Sequence, residues 1–375
     1  MADEPERDHH EDGALHLEID VEGLDTPTGE RFSAAAESAA TVFSGVVRNF
    51  GVELPELVVV GTLDFQSTVD ELLHRLHGAD EPAFTTERLG GTAVGKTVPL
   101  NDDRSKLEVV LAAEPWIEPA GPAGLGVGLY LLAHELTHCV LERMRVLSGA
   151  LEGVSFPPAT PRPAARSITR IAVDEMRADW VADLVLSLSA TKTVEGEELP
   201  LHISDLGMLG PTLYRDRLAE LLVTRVYPGW ANTVNTYRTW GMTLEELMRQ
   251  LMQETDQVMT TLAHAQGEAL STPENGDLFL PPASGEPGAS WLVGPVWETV
   301  MTAVAAPGSL IPPLPEFKAA ELSILDAGED ALFAMWEKLG VTFDPARPDA
   351  ADAYQIKVGA PDEPPAAKGA ESAET

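Results

Sequence analysis

The stretch LYLLAHELTHCVL, residues 129–141, decides how the centre of this chain folds. Its flanks are apolar and no proline interrupts it, so it predicts a buried helix. Residues four apart lie on one helix face, so His134 and His138 can reach the same point. This is the H-E-x-x-H pattern, which predicts a zinc site with Glu135 as general base. The alternative is an amphipathic helix that carries two histidines by chance, but a solvated helix would have polar flanks.

A catalytic zinc usually takes three protein ligands and keeps one position open for water. A third histidine at the spacing H-E-x-x-H-x-x-G-x-x-H is excluded, because Leu141 and Met144 occupy those positions. The following predicted helix offers Glu175 and Asp179, four residues apart. We predict that Glu175 binds the metal and that Asp179 accepts the second ring N–H of a ligating histidine. Asp174 is the alternative to Glu175 as the third ligand. The alternative for the acidic residues of this helix as a group is that they form a hydrated stripe and bind no metal.

Together these residues resemble the zincin metallopeptidases, in the gluzincin arrangement of H-E-x-x-H followed by E-x-x-x-D. The order of strands, zinc helix and glutamate helix is similar to the compact catalytic domain of the ImmA/IrrE-like group. The resemblance covers about residues 15–190 and is specific only at the five motif positions. It implies an α+β fold in which a mixed sheet lies over the active-site helix. It also implies one Zn²⁺ ion and a peptide or protein substrate, held as an added strand at an antiparallel edge.

The 375 residues are enough for about two domains. We predict a disordered tail over 1–14, the zincin-like catalytic domain over 15–195, a mostly α-helical domain or extension over 196–345, and a disordered acidic tail over 346–375.

Apolar periodicity predicts the individual strands and helices. The strands are 15–22, 57–60, 92–100 and 107–113, and the helices are 31–50, 67–77, 123–145, 167–189, 213–226 and 244–262. A proline-rich loop is predicted over 156–163.

Residues Gly90–Thr97 match the phosphate-binding pattern G-x-x-x-x-G-K-T. That pattern functions only between a buried strand and the start of a helix. Here Pro99 and the turn-forming Asn101–Asp103 exclude the helix. We instead predict a strand with Gly95 at a bulge or a close approach, and a candidate edge that could pair with an extended peptide.

The net charge of −35 argues against nucleic-acid binding, because such a field repels phosphate backbones. The single cysteine, Cys139, excludes an intrachain disulfide; lying about 100° around the helix from His138, it should face away from the metal. No apolar stretch is long enough to span a membrane, and the acidic N-terminus is unlike a signal peptide, so we expect a cytoplasmic protein.

The motifs favour a zinc-dependent peptidase in which Glu135 assists the attack of water. The alternative is a zincin-like regulatory or binding protein with little or no hydrolytic activity. The group that would stabilise the transition state is not identifiable from sequence. The candidates are His202, Tyr214, Tyr237 and His264.

Overall fold

The structure is a computed structural model in which eleven segments of the chain are described. They are residues 17–52, 55–78, 87–88, 91–92, 94–113, 121–150, 161–194, 196–206, 226–271, 287–345 and 354–364.

A four-stranded mixed sheet forms the first layer, with its strands in the spatial order 17–22, 56–62, 106–112 and 95–99. β1 (Leu17–Glu22), β2 (Glu56–Thr62) and β6 (Lys106–Ala112) run parallel, and β5 (Gly95–Pro99) pairs antiparallel with β6. Two-residue strands β3 (Glu87–Arg88) and β4 (Gly91–Thr92) form a separate hairpin. The single strand predicted over 92–100 is therefore divided.

Helices cover both faces of this sheet. α1 (Thr26–Val47) begins after Asp25, whose side chain accepts a hydrogen bond from the Thr28 amide, and a 3₁₀ turn (Arg48–Phe50) follows it. α2 (Phe65–His77) lies on the opposite face, against Val60 and Val110. The face toward α1 and the H-E-x-x-H helix α3 (Gly121–Ser148) is apolar and forms what we call the sheet core. Its largest buried side chains include Phe32, Phe43, Leu57, Leu107, Leu111, Leu132 and Leu136.

The next helix, α4 (Pro161–Ser189), starts inside the segment predicted to be a proline-rich loop. That prediction was wrong from residue 161 onward. Pro161 and Pro163 stand in the first helical turn, where their missing N–H groups would have no intrahelical partner in any case. α4 thus begins six residues before the start at 167 that its apolar pattern indicates.

Four further helices pack on the other side of α4. They are α5 (Gly229–Arg238), α6 (Leu244–Ser271), α7 (Pro287–Ala305) and α8 (Leu314–Lys338). Their buried side chains form the helical core, which is built around Trp230, Trp297 and Trp336. The helix predicted over 213–226 lies, except for Val226, outside the described residues.

Two short hairpins complete the described part of the chain. β7 (Thr191–Val194) and β8 (Glu197–Pro200) follow α4, and a 3₁₀ turn (Ile203–Asp205) comes next. β9 (Val341–Pro345) pairs with β10 (Tyr354–Val358), which falls within the segment expected to be an acidic tail. Ile356 and Val358 of β10 pack against the helical core, so this part of the predicted tail is a strand packed on the protein.

α4 belongs to both cores. Its residues Ala165–Met176 contribute buried side chains to the helical core, and Val181–Leu186 contribute to the sheet core. Glu175 and Asp179 lie where the helix passes from one core to the other.

Buried ion pairs tie α3, α4 and α8 together. Glu321 of α8 accepts hydrogen bonds from Arg177 of α4 at 2.5 Å and from Arg145 of α3 at 2.9 Å. Arg145 also donates to Asp174 at 2.5 Å. Among the described residues, no helix combines the length and apolar character that a membrane span requires.

Candidate metal centre

Three side chains from α3 and α4 converge on one point. Nε2 of His134 lies 3.1 Å from Nε2 of His138 and 3.0 Å from Oε2 of Glu175, and the His138–Glu175 separation is 3.6 Å. Zinc bonds of about 2.0–2.1 Å in tetrahedral arrangement place ligand atoms about 3.3 Å apart. The three observed separations bracket that value. The donor set therefore fits a zinc ion in both chemistry and size, and among the described residues it is the one such group of three.

The competing position, Asp174, lies elsewhere. Its carboxylate is bonded to Arg145, on the side of α4 that faces α8. Because adjacent helical residues point about 100° apart, only one of Asp174 and Glu175 can face α3 at the histidines. In the structure that residue is Glu175.

Asp179 orients the histidine cluster, one turn beyond Glu175. Its Oδ1 accepts hydrogen bonds from Nδ1 of His134 at 2.8 Å and from the Tyr130 hydroxyl at 2.5 Å. A ring that keeps its Nδ1 proton for Asp179 can bind a metal only through Nε2, which must first release any second proton.

A third histidine, His264, reaches the same carboxylate from α6. Its Nδ1 donates to Oδ2 of Asp179 at 2.7 Å, and its Nε2 lies 3.7 Å from Oε2 of Glu175. α6 can approach this closely because a Cβ at Gly267 would lie 2.7 Å from Cβ of Asp179 and 2.8 Å from the Met176 carbonyl oxygen. Of the four candidate donors, His264 is the one that the structure places at the cluster.

The other three candidates do not join it. His202 bonds Asp183, one turn farther along α4, through a 2.9 Å contact. Tyr237 packs against the helical core, and Tyr214 lies outside the described residues.

The carboxylate of Glu135 is held by β5. The hydroxyl oxygen of Thr97 lies 2.7 Å from Oε2 of Glu135 and 3.1 Å from its carbonyl oxygen. Gly95 lies against the same side chain, because a Cβ there would be 2.6 Å from Oε1. The predicted close approach at Gly95 is confirmed, and its neighbour is the proposed general base. A strand rather than a helix follows Gly95, as expected for a chance match to the phosphate-binding pattern.

Cys139 is fully buried. Its thiol lies 3.9 Å from the Thr97 hydroxyl oxygen, and burial raises its pKa.

The charges at the centre are strongly coupled. Burial lowers the pKa of His134, but hydrogen bonds to Asp179 and Glu175 outweigh it and hold that pKa well above its usual value. Burial would raise the pKa of Asp179, but the His264 charge and the bond from His134 lower it to about 2. The carboxylates therefore remain ionised and attract positive charge, which is the electrostatic condition for binding a divalent cation.

One more carboxylate lies near, on α6. Burial and the charge of Glu175 raise the pKa of Asp256 to about 6. Its Oδ1 is buried and makes no hydrogen bond within the described part of the chain.

Sequence reasoning left two contributors outside the predicted site. His264 lies two residues, about half a turn, beyond position 262, where its helix was predicted to end, and only the packing of α6 on α4 shows its position. Thr97 is separated from Glu135 by 38 residues, and a strand position alone does not reveal its partner. A comparison with models of protein families, with curated proteins and with solved structures found no match to this chain.

Proposed function

We propose that this protein is a zinc-dependent metallopeptidase with a zincin-like catalytic centre. The observation that carries the proposal is the convergence of three donor atoms, from His134, His138 and Glu175, at separations suited to tetrahedral zinc, with Glu135 beside them. A purely structural zinc site usually has four protein ligands and has no use for a general base.

Bound zinc would supply Lewis-acid chemistry, lowering the pKa of water and polarising a carbonyl group. Glu135 would accept the proton of the attacking water on a carboxylate oxygen and pass it to the nitrogen of the leaving amine. Asp179 would keep His134 in the tautomer that binds metal.

His264 is the best-placed donor for the developing oxyanion. Burial lowers its pKa, but the carboxylates of Asp179 and Glu175 outweigh that and raise it above the usual value, which favours the ring with a proton on both nitrogens. With Nδ1 committed to Asp179, Nε2 lies 3.7 Å from Oε2 of Glu175 and would donate to an oxygen bound beside that ligand.

A peptide is supported as substrate by the free edge of β5. Leu100 N bonds Lys106 O and Ala112 N bonds Val94 O, so even-numbered residues form the hydrogen-bonded pairs with β6. The backbone groups of Gly95 and Thr97 consequently point away from β6. No strand pairs with that edge within the described segments. Pro99, which has no N–H, stands at the next outward position.

The test compares three variants with the wild type by two measurements, which are the zinc content and the rate of hydrolysis of fluorescently labelled casein. His138→Ala should lose the metal, whereas Glu135→Gln should keep one zinc per chain and lose at least about 100-fold in turnover. Glu142→Gln, two turns along the same helix, serves as the matched control and should retain both. Equal turnover in Glu135→Gln and the wild type would refute the mechanism. A wild type that binds zinc without hydrolysing the protein substrate would favour a binding or regulatory role.

A further inference from the structure

We propose that Thr97 and Gly95 of β5 are positioning residues that hold the carboxylate of Glu135 in its working orientation. This inference rests on the proposed function, because it assigns a role toward the proposed base. The two residues have complementary effects: the Thr97 hydroxyl binds one carboxylate oxygen, and the absent side chain of Gly95 leaves room for the other.

The hydroxyl contact is directional. Thr97 Oγ1 is closer to the Glu135 carboxylate, at 2.7 Å, than to the Glu135 carbonyl, at 3.1 Å. A hydroxyl donor prefers a charged acceptor, so the Thr97 O–H group donates its hydrogen bond to Oε2 of Glu135. The Cys139 thiol can donate to the same hydroxyl oxygen, which favours that orientation.

The steric contact fixes the other oxygen. At Gly95 a Cβ would lie 2.6 Å from Oε1 and 2.9 Å from Cγ of Glu135, both closer than real Cβ contacts allow. Any larger residue at position 95 would have to displace the carboxylate. Side chains alternate along a strand, so Gly95 and Thr97 face α3 while Val98 packs toward α2.

The same two residues face a possible substrate through their backbones. Their N–H and C=O groups lie on the outward edge of β5, while the Thr97 side chain and the Cα of Gly95 lie against Glu135. A peptide added to this edge would therefore be aligned with the base by the residues that hold the base. A glutamate side chain has several rotatable bonds, and fixing it before substrate binds reduces the cost of reaching the reactive geometry.

The test measures binding of acetohydroxamate to the cobalt-substituted protein by visible absorption. A hydroxamate chelates the metal through two oxygens and can share a proton with a carboxylate beside it, so its affinity depends on the placement of Glu135 without requiring turnover. Thr97→Val, which replaces the hydroxyl with a methyl group, should weaken binding about 10- to 100-fold. Thr97→Ser should restore affinity to within about threefold of the wild type.

Gly95→Ala should weaken binding by a comparable factor while retaining cobalt. Thr169→Val is the matched control: Thr169 is a buried threonine on α4 whose hydroxyl donates to the Ala165 carbonyl of its own helix. It should bind hydroxamate as the wild type does. If Thr97→Val fails to fold, Gly95→Ala decides the question by the same criterion.

A double-mutant cycle separates positioning from a general structural effect. In a Glu135→Gln background, Thr97→Val should cause little further loss, because the group that it positions has already been changed. Losses of hydroxamate affinity that add in the double variant, or wild-type affinity in Thr97→Val, would overturn this inference but leave the proposed function standing. Failure of the wild type to bind cobalt would instead overturn the metal site and this inference together, and lack of casein hydrolysis with an intact cycle would overturn only the peptidase proposal.

Discussion

Replacing Asp179 with asparagine should weaken zinc binding far more than it weakens the fold. The carboxylate accepts three hydrogen bonds, from Tyr130, His134 and His264, and is almost completely buried. Asparagine keeps one acceptor oxygen, but its NH₂ group cannot accept and it has no charge. At least one donor must therefore rearrange, and both histidines lose a charged partner.

The size of the effect follows from these contacts. A hydrogen bond to a charged group contributes about 1.5–3 kcal/mol and a neutral one about 0.5–1.5 kcal/mol, so losing the charge costs about 1 kcal/mol for each histidine. The loss at His134, the one of the two that we assign as a zinc ligand, corresponds to about a fivefold loss in zinc affinity, and displacement of its ring extends this toward the 10- to 100-fold range typical of residues that orient metal ligands.

Asp183→Asn is the matched control. Asp183 is one turn farther along α4, equally buried, and also accepts a hydrogen bond from a histidine, His202. Both variants should lower the thermal unfolding temperature of the zinc-free protein, but only Asp179→Asn should lose zinc to a chromophoric chelator of known affinity. Wild-type zinc affinity in Asp179→Asn would refute the orienting role, and an equal loss in Asp183→Asn would attribute the effect to helix stability.

Three other outcomes follow from the charges. Burial would raise the pKa of Glu321, but Arg177 and Arg145 lower it to about 2, so its stabilising effect should be complete above about pH 4.5 and be lost as the pH falls toward 2. Glu321→Gln should therefore cost about 3–5 kcal/mol in urea unfolding at pH 7 and reduce the acid dependence; an unchanged midpoint would contradict this. Asp256 should have the opposite effect on the pH dependence of stability, because its pKa is raised in the folded state. The folded state therefore binds a proton that the unfolded state has already lost, and the stability of the metal-free protein should fall as the pH rises from about 4 through 6. In urea unfolding at pH 7, Asp256→Asn should then be more stable than the wild type by up to about 3 kcal/mol, and at pH 3.5 the two should be equally stable. Raising NaCl from about 0.1 to 1 M should increase the unfolding temperature, because screening reduces the self-repulsion of a chain with net charge −35; a decrease would show that ion pairs dominate.

The parts of the centre that were predictable from sequence are those governed by helix geometry. His134 and His138 are one turn apart on one helix, so their convergence follows from the period. The same period relates Glu175 to Asp179. Helix geometry alone does not distinguish Glu175 from Asp174 as the third ligand. The structure distinguishes them because Asp174 forms an ion pair with Arg145, which is 29 residues away in the chain.

The remaining contacts depend on packing between distant elements. His264 reaches Asp179 only because α6 continues past residue 262 and Gly267 permits close packing. Helix periodicity predicts neither the end of such a helix nor its position along α4. The bond from Thr97 to Glu135 likewise depends on how the sheet edge lies over α3. The mixed α/β character and most strand positions were predictable, because apolar alternation is a local property.

The position of the candidate metal centre along α4 has a consequence for unfolding. Glu175 stands at the end of the part of α4 that packs in the helical core, and Asp179 lies between that part and the part in the sheet core. Separating α3 from α4 would pull the three donors apart, and separating α6 from α4 would remove His264 from Asp179, so a bound ion would oppose the opening of both. Zinc should accordingly make the two halves unfold in one cooperative step, with a midpoint that rises with the logarithm of the free zinc concentration. Conversely, core substitutions far from the histidines, on either side of the helix, should appear in experiment as changes in metal affinity.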